Sequence, residues 1–136
     1  MHQGLGVIIV FIFSRVIAGW ELCYCIPTMI DLTTMHCEAC DGGTPPLTRD
    51  EVTTMGAQVP DWTIADDAKS ISRSWTFKDF AEAISFLTKV AAVAESEGHH
   101  PNIWNSWNKV KLELSTHSIG GLSENDFILA ARIDQL

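Results

Sequence analysis

Basic residues are scarce in this 136-residue chain: nine Lys and Arg stand against 17 Asp and Glu, leaving a net charge of -8. Such a field repels phosphate backbones, and no Lys/Arg cluster overrides it, which argues against direct nucleic-acid binding. Also missing is an apolar run of the about 20 residues that a stable membrane span needs. The run "GLGVIIVFIF", Gly4 to Phe13, has the length of a signal-peptide core. Its leading "MHQ" nevertheless holds no Lys or Arg, and Ala18-Gly19 makes a poor cleavage site. Residues 1–34 therefore read as an appended or mis-called leader outside the fold, with Met29 and Met35 as internal starts. The cytoplasm is the favoured compartment, and organelle or secretory targeting is the alternative.

Cysteine is absent beyond residue 40: Cys23, Cys25, Cys37 and Cys40 all lie in the first third, so no disulfide staples the remainder. "CEAC" has the spacing of half a zinc site, which His36, Cys23 and Cys25 could complete. Cys23-Tyr24-Cys25 is too tight a pair for an ordinary zinc knuckle, so the reading adopted is reduced thiols and no metal. A helical H-x-x-x-H pair and an acidic ligand cluster are missing too, which counts against a metal-dependent hydrolase.

What is present is the composition of one modest globular domain, 46% hydrophobic. After "CDGGTPP", which closes an expected linker over 35–46, three segments open with the same signal. Thr48 with Glu51, Thr76 with Asp79 and Ser123 with Asp126 each set a hydroxyl three residues before a carboxylate, the spacing of a capping box. Leu47 with Val52, Trp75 with Phe80 and Leu122 with Phe127 flank these boxes as hydrophobic staples. The second segment predicts a helix over about 77–97 whose buried stripe is Phe80, Ile84, Leu87, Ala91 and Ala94, ended by Gly98.

"DWTI", "ISRSWTF", "NIWNSW" and "KVKLELSTH" read as strands. In the last, Val110, Leu112, Leu114 and Thr116 alternate with Lys111, Glu113, Ser115 and His117, so His117 falls on the polar face. The expected fold is α+β, in the order α-β-β-α-β-β-α over residues 47–136, with a four-stranded antiparallel sheet and three helices on one face. So small a domain has a high surface-to-volume ratio, which predicts a homodimer or homotetramer.

His99 and His100 stand side by side at the end of the long helix, where one core could not absorb both rings. "E-x-x-x-H-H-P" from Glu95 to Pro101, then Trp107, "LSTH" ending at His117, and "GLSENDF" with Asp126 resemble the pterin-4a-carbinolamine dehydratase family. The similarity runs from about residue 37 to the end and takes in "CDGGTPPLT", "DWTI" and "FKDF". It implies removal of water from a 4a-hydroxytetrahydropterin to give the quinonoid dihydropterin, without metal or other cofactor, in tetrahydropterin recycling after aromatic amino-acid hydroxylation. The hydroxyl leaving C4a needs a proton donor and N5–H needs a base, and histidine serves both near neutrality.

On this resemblance His99 and His117 are the acid/base pair and His100 orients the ligand. Trp62 is expected near the pterin as a stacking face, with Pro101 fixing the backbone after the doublet. Ser115, Thr116, Glu95 and Asp126 are supporting residues; Asp126 suffices as a capping residue and has histidine tuning as a second role. Trp104 and Trp107 read as packing or interface residues. Animal members of the family also bind a homeodomain transcription factor, so a non-catalytic dimerisation module is the alternative function.

Overall fold

The structure, a computed structural model, describes residues 31–39 and 43–136. The apolar run, Cys23, Cys25 and Cys40 fall outside the described residues. The elements are α1 (Arg49–Gly56), β1 (Thr63–Ile64), β2 (Ile71–Thr76), α2 (Phe80–Glu97), β3 (Asn102–Ser106), β4 (Lys109–Leu114) and α3 (Glu124–Ile133). The strands form one antiparallel sheet in the order β1-β2-β4-β3. This is the α+β order expected.

Registration of Ile71 with Leu114 and Trp75 with Val110 puts one apolar row of β2 and β4 on the same face. There it joins Val52 of α1, Phe86 and Val90 of α2, and Phe127, Ile128 and Leu129 of α3 in the core. The opposite face carries Ser74, Lys109 and Lys111, which are exposed. A sheet covered by helices on one side only gives this period-two alternation.

The caps decide where helices start. At α1 the Thr48 N–H donates to Glu51 Oε2 (2.8 Å) and the Glu51 N–H to Thr48 Oγ1 (3.4 Å), closing the expected box. At α2 the expected box at Thr76 is wrong by three residues. Thr76 is still in β2, opposite Lys109, and Phe77 N–H still bonds Asn108 across the loop, so the chain cannot yet coil. Asp79 is the N-cap, accepting from Glu82 N–H (2.9 Å), and Glu82 in turn accepts Lys78 N–H (2.7 Å).

The expected stripe of α2 is also displaced. Buried are Ala83, Phe86, Val90, Ala94 and Glu97, whereas Phe80 and Ile84 are 51% and 39% exposed. The helix holds two apolar stripes offset by one position, about 100° apart. The inward one includes the small Ala83 and Ala94. Periodicity alone ranked the bulkier stripe first.

Residues 1–34 were expected to lie outside the fold and 35–46 to be a linker, yet Leu32 is 2% exposed within the core, and Met35, Cys37 and Leu47 pack against it. The fold therefore reaches back at least to a short 3-10 turn at Leu32–Thr34, N-capped by Asp31. Farther on, Leu47 N–H bonds the Leu122 carbonyl (2.8 Å), and Gly121 lies so close to Pro46 that an added Cβ would stand 2.7 Å from the proline Cβ. Among the described residues no helix is long and apolar enough to cross a membrane.

Candidate active site

Gly98 builds the site's first wall. It ends α2 with φ of +62°, a conformation that suits glycine, and the His99 N–H returns to the Ala94 carbonyl (3.2 Å). The histidine doublet thus leaves a rigid helix end. Pro101, immediately after it, holds His100 away from helical backbone as β3 begins.

The second wall is a loop, and here the sequence reading is corrected. β4 ends at Leu114, and His117 opens a 3-10 turn, His117–Ile119, rather than continuing the strand. The chain departs because Thr116 N–H bonds the Gly121 carbonyl (2.8 Å), closing a loop whose far corner, Gly120, takes φ of +68°. His117 is consequently exposed on a loop tip, not one of a row of polar strand residues.

Beneath both walls lies Asp126, fully buried. Its Oδ1 is 2.7 Å from His99 Nε2, and its Oδ2 accepts the Thr116 hydroxyl (2.8 Å) and the Ser123 N–H (2.9 Å). Since Thr116 gives its proton to the carboxylate, Ser123 Oγ, 2.7 Å away, is the donor to Thr116. A carboxylate accepts only, so the proton sits on His99 Nε2 and leaves Nδ1 as the basic nitrogen. Asp126 is therefore both helix cap and histidine partner. His100 Nε2 meets Glu95 Oε1 at 3.0 Å, with both side chains largely exposed.

His99, His100 and His117 share one cleft of about 440 Å³ with Ser115 and Thr116. That volume suits a small-molecule ligand. Trp62 is not among its walls: the ring is 5% exposed, its Nε1 donates to Asp134 Oδ1 (2.9 Å), and its edge meets Trp75 with centroids 5.8 Å apart. Within this chain the Trp62 ring, expected near the ligand, is packed in the core and does not line the cleft. Trp104 and Trp107 are 49% and 66% exposed, so neither packs inside the chain. Among the described residues no three His, Cys, Asp or Glu side chains are grouped to hold a metal ion.

Of the remaining lining, Cys37 was expected only as a reduced thiol, and Glu38, Ala39, Glu97, Ser118 and Asn125 carried no expectation. One signal pointed to Glu97. An acid in the last turn of a helix opposes the macrodipole, and α2 has no basic residue there, so a partner elsewhere was required. That partner set holds it: burial raises its pKa, but the Cys37 N–H, Arg132 and His36 together outweigh burial and keep it below the ordinary glutamate value.

Residues 45–136 match the family model described as pterin 4 alpha carbinolamine dehydratase. A "Putative pterin-4-alpha-carbinolamine dehydratase" of Methylococcus capsulatus is 45% identical over 105 residues, covering 77% of this chain and 92% of its own length. One of the same name from Aromatoleum aromaticum is 44% identical over 106 residues, 78% of this chain and 95% of that one. Among solved structures, a transcriptional coactivator/pterin dehydratase from Brucella melitensis superposes with a TM-score of 0.63 at 34% identity, covering 66% of this chain and 96% of its own. With the helix-end histidine doublet and these relatives in agreement, the chain belongs to the pterin-4a-carbinolamine dehydratase family.

Proposed function

We propose that the protein is a hydro-lyase that dehydrates 4a-hydroxytetrahydropterin to the quinonoid dihydropterin, in the recycling of tetrahydropterin. The observation that carries this reading is the His99–Asp126 pair at 2.7 Å beside a cleft that also holds His100 and His117. In the reaction the C4a–O bond breaks as the hydroxyl takes a proton and leaves as water. N5–H gives up its proton, and its electron pair forms the N5=C4a bond. His99, with Nδ1 left basic, is suited to the N5 proton, and protonated His117 to the leaving hydroxyl. His100, paired with Glu95, orients the ring and its charge.

Stopped-flow decay of 4a-hydroxytetrahydropterin, with the uncatalysed rate subtracted, tests this. His99→Ala and His117→Ala should each lower kcat by about 10²–10⁴ with melting temperatures nearly unchanged for His117→Ala. Dialysis against EDTA should leave the rate intact, as acid–base chemistry requires no metal. Full activity in both single variants, or activity lost with a stoichiometric metal, would refute the mechanism.

The partner surface supports a homodimer or homotetramer. Phe80, Ile84 and Ile103 leave apolar area in water, and β3 is a sheet edge with unpaired backbone groups. Light scattering of the full chain decides between these and a monomer.

A further inference from the structure

Glu97 is an expensive residue in its position: its side chain is 2% exposed, at the end of a helix whose dipole repels it. Both oxygens are nonetheless committed. Oε2 accepts the Cys37 N–H (2.9 Å), while Oε1 meets Arg132 Nη1 (3.1 Å) and His36 Nδ1 (3.2 Å). Arg132, from α3, also donates through Nε to the Met35 carbonyl (3.1 Å). One residue farther on, the buried Asn125 pairs with the backbone of Glu38 in both directions, accepting its N–H (3.0 Å) and donating to its carbonyl (2.6 Å).

Residues 35–38 have no regular secondary structure, yet their backbone is held at Met35, Cys37 and Glu38 by side chains from α2 and α3. Cys37, Glu38 and Ala39 then complete the cleft lined by His99, His100 and His117. A helical carboxylate adjacent to the doublet is thereby tied to a strip of chain about 60 residues away in sequence.

We propose that Glu97 is a positioning residue for the dehydratase site: through Cys37, and with Asn125, it holds residues 37–39 as a wall against which the pterin binds. The proposal rests on the dehydratase reading above. Wall contacts are made alike by the bound pterin before and during proton transfer, so they act on KM rather than on kcat.

Steady-state kinetics of full-length Glu97→Ala, Glu97→Gln and Asn125→Ala test it, with circular dichroism and melts in parallel. Glu97→Ala and Asn125→Ala should raise KM about tenfold with kcat within about twofold. Glu97→Gln should recover part of the loss, since its amide oxygen still accepts the Cys37 N–H. Should Glu97→Ala not fold, the other two variants decide. A second readout does not depend on turnover: alkylation of Cys37 by iodoacetamide, followed by peptide mass spectrometry, should slow when the wild-type chain is saturated with 7,8-dihydropterin and should be fast in Glu97→Ala with or without it. Wild-type turnover with unchanged KM in the variants, or a fall in kcat alone, would overturn this proposal and leave the dehydratase reading standing. A wild-type chain that neither turns over the carbinolamine nor is protected by dihydropterin would overturn both.

Discussion

His99 Nε2 and Asp126 Oδ1 stand 2.7 Å apart, and the same carboxylate binds Thr116, the residue that precedes His117. One buried group therefore supports both histidines of the proposed acid/base pair, the first directly and the second through the loop anchor. It connects the end of α2 to the loop after β4, two places that no backbone bond joins.

Asp126→Asn should consequently cost more than a cap. An amide presented to His99 can donate as well as accept, so the Nε2–H tautomer is no longer enforced. A kcat loss of about 10²–10³ is expected. Loss of a buried charge-assisted bond should cost about 1.5–3 kcal/mol of stability as well. Kinetics and denaturant melts measure the two separately, and unchanged kcat in a folded variant would remove Asp126 from the mechanism.

His100 should behave unlike its neighbour. Its ring is 59% exposed and its Glu95 partner 78%, so the pair is solvent-screened and adds little to stability. His100→Ala should raise KM more than it lowers kcat and leave the melting temperature within about a degree or two of wild type. A kcat loss as large as that of His99→Ala would make it a proton-transfer group instead.

Truncation tests where the fold begins. A chain starting at Met35 loses Leu32, whose removal from the core should cost about 2–5 kcal/mol. One starting at Met29 keeps it and should recover that stability. Equal melting temperatures for all three would show that Leu32 is dispensable.

The depressed pKa of Glu97 makes a pH prediction with a definite sign. A carboxyl whose pKa is lower folded than unfolded contributes stability above its unfolded value, about 4.3, and loses it as pH falls through the folded value. The stability difference between wild type and Glu97→Gln should thus be constant from pH 7 to about 5 and shrink toward zero below about 4. Repeating the series in a His36→Ala background separates the His36 contact from that of Arg132. A difference that persists unchanged at pH 3 would contradict the assignment.

How much of this was legible beforehand follows from what kind of bond each feature uses. The starts of α1 and α3 were readable because a capping box is local, spanning four residues. The sheet was readable from the alternation of Val110, Leu112 and Leu114 with Lys109, Lys111 and Glu113. The buried face of α2 was not, since two apolar stripes compete and only packing chooses. Within the candidate site, the His99–His100 doublet stood out by its place at a helix end, whereas the link to His117 and the second role of Asp126 came from the resemblance to the family. Glu97 and Asn125 did not, because they act on backbone groups 60 and 87 residues away, which no short motif encodes.

The close approach of Gly121 to Pro46 has a consequence for how such chains diverge. Gly121 accepts the bond that folds the His117 loop, and any side chain there would strike the proline ring from behind. A larger residue at 121 is then tolerable only where position 46 retreats, so these two sites should drift together as a linked pair. Gly121 closes the loop that carries His117 and Pro46 packs behind it, so exchanging both at once is a route to shifting that histidine without replacing any residue that lines the cleft.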